Sequence, residues 1–97
     1  MVNLKNNHGI KVSLYVSDIT GYPVVLTTID MNWYNNNPSC SFEKLCDYHE
    51  SMATKFRGQL ESMQDESTPL SNNNMLECMT ARILKAGFTY DFSKVVD

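Results

Sequence analysis

The sequence predicts a small α+β domain, an antiparallel sheet in the order ββααβ with two helices packed on one of its faces. Three observations carry that expectation. Residues 10–16 alternate apolar and polar side chains with a period of two. From Phe42 the pattern changes to the three- and four-residue steps of a helix. A second helical stretch stops at Gly87 and is followed by the alternation Phe88, Tyr90, Phe92.

The chain has 97 residues, a length that sets one domain over 1–97 with a small core. Its hydrophobic share of 42% is that of an ordinary globular protein, which argues against wholesale disorder. Val2 and Leu4 can open an extra N-terminal strand before the turn-like Asn6-Asn7-His8-Gly9. In the next strand Ile10, Val12, Leu14 and Val16 share one face, and Lys11, Ser13, Tyr15 and Ser17 share the other. Residues 18–23 supply turn chemistry, and Val24 to Tyr34 reads as a second strand rich in β-branched and aromatic residues. The short link between the two suggests a hairpin.

Pro38 lies in a breaker segment that ends at Ser41, a good N-cap with Glu43 in the first turn behind it. Phe42, Leu45, His49, Met52, Ala53, Phe56, Leu60 and Met63 then fall on one face of a helix that runs to about Gln64. Asp65 to Asn73 is a polar connector in which Pro69 opposes continued helix. Asn74 and Glu77 occupy the positions of a capping box, and Met75, Leu76, Met79, Ile83 and Ala86 form the apolar side of the second helix. Gly87 stands where a left-handed residue ends a helix, and residues 88–92 read as a short last strand.

Eleven acidic groups against eight basic ones give a net charge of −3. That balance argues against a general nucleic-acid binder, whose affinity comes from cations that neutralise phosphates, and against an electrostatic membrane anchor. The sequence contains no apolar run of the roughly 18 residues a spanning helix needs. Residues 1–17 mix Lys5, Asn6, Asn7 and His8 with apolar positions, so no secretory signal is expected. Cys40, Cys46 and Cys78 are odd in number, and Pro38 disqualifies Asn37-Pro38-Ser39 as a glycosylation acceptor. Together these features predict a cytoplasmic protein with free thiols.

The most patterned polar feature is on the first helix. Glu43, Asp47, Glu50 and Glu61 project from nearly one line, Asp65 lies close to it, and the line is opposite the apolar face. Carboxylates one or two turns apart are separated by about 6–11 Å, a range that includes spacings comparable to phosphates along a nucleic-acid strand. Arg57 interrupts the row, and Lys44 and Lys55 flank it. The bland reading of such a row is a solvated helix face. Tyr15 on the polar side of the first strand, with Tyr22, Trp33 and Tyr34 near the ends of the second, can decorate an exposed sheet face. Few Lys or Arg interleave with them, so a protein contact suits them better than base stacking.

Other chemistry is thinly supported. A zinc site from Cys40, Cys46, His49 and Cys78 lacks the tight ligand pairs such sites use. A Cys46–His49 or Cys40–His49 nucleophilic pair lacks an orienting third group and an oxyanion donor loop, and a hydrogen-bonded core histidine is the simpler role for His49. The acid pairs Asp65-Glu66 and Asp47/Glu50 come with no sign of a cleft. The four glycines are scattered and cradle no phosphate.

The expectation is therefore a non-enzymatic binding protein without a cofactor. It takes a protein partner, one that handles nucleic acid, and occludes its basic groove with the acidic helix face. In general character it resembles small acidic inhibitors from phages and mobile elements, anti-CRISPR proteins among them. It shares no quotable motif with them, and −3 is a modest charge for a strict mimic. Two alternatives stand beside this: an interaction or homodimeric assembly module pairing through a sheet edge, and a small thiol enzyme.

Overall fold

The structure, a computed structural model, describes residues 1–65 and 70–92. Strands β1 (Val2–Lys5), β2 (Ile10–Val16) and β3 (Pro23–Ile29) follow one another as antiparallel neighbours. A two-residue strand, β4 (Thr89–Tyr90), returns to pair antiparallel with β1, so the sheet order is β3-β2-β1-β4. The register places Leu4 beside Val12, and Leu14 beside Val25. Leu4, Ile10, Val12 and Leu14 thus share one face and are buried there.

Helices α2 (Phe42–Gln64) and α3 (Asn72–Lys85) cover that face. They bring Leu45, Phe56, Leu60 and Met63 from one, and Met75, Met79 and Ile83 from the other. Phe88 joins them, its ring edge-on to Phe56 at 5.6 Å between centroids. The architecture is the small antiparallel sheet with two helices on one face that the residue patterns predict. Val2 and Leu4 do form the extra strand, and it is an interior one.

Asn6 and Gly9 shape the turn between β1 and β2. Asn6 is buried, and both ends of its side-chain amide and its own N–H are hydrogen-bonded. Its Oδ1 accepts the N–H groups of His8 and Ile10, both at 3.0 Å. Its Nδ2 donates to Tyr48 Oη on α2 at 3.0 Å, and its own N–H donates to the Ile10 carbonyl at 3.0 Å. Gly9 has φ +90, and a Cβ built there meets Trp33 Cε3 at 2.7 Å and Leu45 Cδ1 at 3.0 Å. The indole therefore lies against bare backbone.

That contact explains the main departure from expectation. The second strand does not run to Tyr34. It ends at Ile29, Asp30 caps the helix α1 (Met31–Asn35) by accepting the Trp33 N–H at 3.2 Å, and Trp33 and Tyr34 sit on that helix. Strand-prone side chains yield here to a cap and a tertiary contact. At α3 the cap is Ser71, whose Oγ accepts the Asn74 N–H at 3.2 Å, so the Asn run forms the first turn and the expected cap at Asn74 is displaced. The last strand is shorter than 88–92: Phe88 closes α3 instead, donating its N–H to Ile83 while Gly87 donates to Leu84. Pro69 of the connector lies outside the described residues.

Two glycine substitutions separate backbone strain from the close approach. Gly9 and Gly21 both hold positive φ, but an added Cβ at Gly21 meets nothing within 4 Å. Gly9→Ala should be less stable than Gly21→Ala by about 1–3 kcal/mol, the cost of overpacking, as read from urea unfolding midpoints. Equal losses would mean that the Trp33 contact relaxes freely.

Candidate functional site

α2 begins where local chemistry dictates. Ser41 Oγ accepts the Lys44 N–H at 3.4 Å, the Ser41 carbonyl accepts the Leu45 N–H at 3.0 Å, and Glu43 lies at the positive end of the helix. The buried stripe of Leu45, Phe56, Leu60 and Met63 then fixes which side faces outward. Two polar side chains tie the helix to the outer edge of the sheet. In the alternating β2–β3 ladder the carbonyls of Pro23 and Thr27 point away from β2. His49 Nε2 bonds to Thr27 O at 2.9 Å, which sets the tautomer with its proton on Nε2, and Gln64 Nε2 donates to Pro23 O at 3.5 Å. An open edge strand is thereby partly satisfied from above.

The orientation leaves Glu43, Asp47, Glu50 and Glu61 exposed along α2, with Asp65 exposed at its C-cap. From Glu43 to Asp65 the line is about 33 Å long at 1.5 Å per residue. None of these carboxylates has a cation within 4.0 Å among the described residues; the ion pairs there join Lys5 and Lys11 to Asp91 on the opposite face of the sheet. Arg57, Lys44 and Lys55 are exposed as well, and among the described residues none of them pairs with a carboxylate of the line within 4.0 Å. Chemically it is a row of hydrogen-bond acceptors on one helix face, suited to guanidinium and ammonium groups.

The aromatic candidates separate from the acids and from each other. Tyr15 is half-buried on the uncovered face of the sheet, in register with Val24. Trp33 and Tyr34 are half-buried on α1, packed against the core, and Tyr34 meets Phe42 edge-on at 5.1 Å. They belong to the support of the fold rather than to a sheet surface. More exposed are Tyr22 (62%) in the β2–β3 turn, Tyr90 (44%) with Phe92 (85%) at the β4 edge, and Leu26 (48%), which drew no attention in the sequence, beside Tyr15's face. The strand alternation of Val24, Leu26 and Thr28 opposite the core-facing residues carries that signal.

The thiols do not assemble with the histidine. Cys40 Sγ donates to the Ser41 carbonyl at 3.6 Å, Cys46 is half-buried on α2, and Cys78 is exposed on α3. The described residues contain no group of three His, Cys, Asp or Glu placed to hold a metal ion. Asp47 and Glu50 stand on the open helix surface, and Glu66 lies outside the described residues. No helix among the described residues is long and apolar enough to cross a membrane. Compared with protein families, curated proteins and solved structures, the chain gives no significant match.

The bond from His49 to Thr27 makes it a clamp on β3. His49→Ala should cost about 1–3 kcal/mol, since it leaves the Thr27 carbonyl without its partner. Under native conditions Cys46 should react with iodoacetamide at the same rate in both proteins. A fast Cys46 reaction that His49→Ala abolishes would instead make the imidazole its base.

Proposed function

We propose that this chain is a non-enzymatic binding protein that occludes a basic, nucleic-acid-holding groove on a protein partner with the acidic line of α2. The observation that carries the reading is that Glu43, Asp47, Glu50, Glu61 and Asp65 are all exposed and lack an ion-pair partner among the described residues. Helix stability accounts for Glu43 alone. Acidic groups at a helix C-terminal end oppose the macrodipole by about 0.3–1 kcal/mol each, yet Glu61 and Asp65 occupy that end and its last turn holds no basic residue. A residue choice that runs against local stability is expected where a surface has other work.

Rigidity supports the same reading. The clamps at His49 and Gln64 and the buried stripe fix α2 before it meets anything, so docking orders little additional chain. The acidic line speeds encounter with a basic groove and disfavours acidic ones. No cofactor is needed. The partner that fits best grips a nucleic-acid backbone with Arg and Lys, as a host defence complex does, and an inhibitor of anti-CRISPR character is the sharpest form of the proposal. Three free thiols suit a reducing, cytoplasmic setting for that encounter.

The test is an affinity capture from host lysate with the wild type and with the triple variant Glu43→Lys, Asp47→Lys, Glu50→Lys. All three positions are exposed, so the fold should survive, as circular dichroism will check. The wild type should capture a nucleic-acid-handling protein, and the variant should bind it about a hundredfold more weakly because attraction becomes repulsion at three points. Equal capture by both proteins would remove α2 as the working surface and leave the sheet face around Tyr15 as its replacement.

A further inference from the structure

We propose that the groove between α2 and the C-terminal half of α3 is an anion site for a small phosphate-bearing ligand of the phosphomonoester class. Lys55, Gln59, Arg82, Lys85 and Ala86 line it, and it holds about 430 Å³. That volume is in the range of small-ligand clefts. The site is separate from the occlusion surface proposed above: at roughly 3.6 residues per turn, Lys55 and Gln59 lie about 80° or more around α2 from every carboxylate of the acidic line.

The charges of the groove are all of one sign. Neither Lys55, Arg82 nor Lys85 has a carboxylate within 4.0 Å among the described residues. In a chain of net charge −3, such an unneutralised cluster of cations from two helices is a local reversal of sign. Arg82 and Lys85 also complement the negative end of α3, but Lys55 sits mid-helix on α2, where no dipole calls for it. The negative end itself is blunted, because the carbonyls of Arg82, Ile83 and Leu84 already accept the N–H groups of Ala86, Gly87 and Phe88.

Gln59 adds a separate mark. Its side chain lines the groove between the cations, and its Oε1 has no hydrogen-bond partner among the described residues. A phosphomonoester offers compact anionic oxygens for the ammonium and guanidinium groups that line the groove. Guanidinium and ammonium pair readily with such oxygens. A nucleic-acid strand fits less well. A tracking surface needs cations in a stripe with aromatic platforms, whereas the acidic line runs along the same helix and Tyr90 and Phe92 lie at the sheet edge.

Sodium phosphate is the probe, titrated into the full chain against sodium chloride at matched ionic strength and followed by two-dimensional amide NMR and thermal melting. Phosphate should raise the melting temperature above the chloride reference and move resonances of Lys55, Gln59, Arg82 and Lys85 to saturation. The variant Lys55→Gln with Lys85→Gln should weaken binding by about tenfold or more, while Lys44→Gln with Arg57→Gln, which removes the same charge elsewhere on α2, should leave it unchanged. Melting without phosphate checks that both variants fold. Shifts no larger than those in chloride, equal weakening by the two variants, or tighter binding of a duplex oligonucleotide at these residues would each overturn the assignment.

Discussion

The fold depends on the space that Gly9 leaves open. A side chain there would occupy the position of the Trp33 ring, so the β1–β2 turn and α1 pack together only because the turn carries none. Asn6 holds that turn in shape and reaches across to Tyr48, and Leu45 touches the same glycine from the first turns of α2. The start of α2 is therefore located by two contacts with this turn, at Leu45 and Tyr48. Since Leu45, Phe56, Leu60 and Met63 fix its rotation, the direction in which Glu43, Asp47 and Glu50 point follows from packing at the opposite side of the helix.

The two helices then end with opposite electrostatics. α3 finishes with Arg82 and Lys85, in accord with its dipole, and closes its terminal carbonyls through Gly87 and Phe88. α2 finishes with Glu61 and Asp65, against its dipole. The result is a surface of two signs on a chain with little net charge: an acidic line on the outside of α2, and a basic groove where α2 meets α3. Net charge alone gives a poor account of what such a surface attracts, because neighbouring groups act over about 10 Å at ordinary salt.

Periodicity carried much of this architecture. The β2 strand and the extent of α2 were legible because Ile10–Val16 and Phe42–Gln64 each keep one period throughout, and burial followed that period except at the terminal residues Val16 and Phe42, which are exposed. The acidic line was legible for the same reason, being the complement of a buried stripe. Trp33 and Tyr34 were not, because nothing in the local pattern of residues 24–34 records that Gly9 lies under the indole or that Asp30 accepts the Trp33 N–H. Ser71 and Asn74 are both good caps, and the apolar steps of α3 are the same whichever one begins the helix. The clamps from His49 and Gln64 join residues more than twenty positions apart in sequence, beyond the reach of any local rule.

The claim at the centre of this account is that the chain and a nucleic acid compete for one groove. The direct measurement is fluorescence anisotropy of a labelled nucleic acid on the captured partner as the chain is added. The account predicts displacement, with the apparent Kd of the nucleic acid rising in proportion to the concentration of chain. A ternary complex in which the nucleic acid stays bound with unchanged affinity would contradict it.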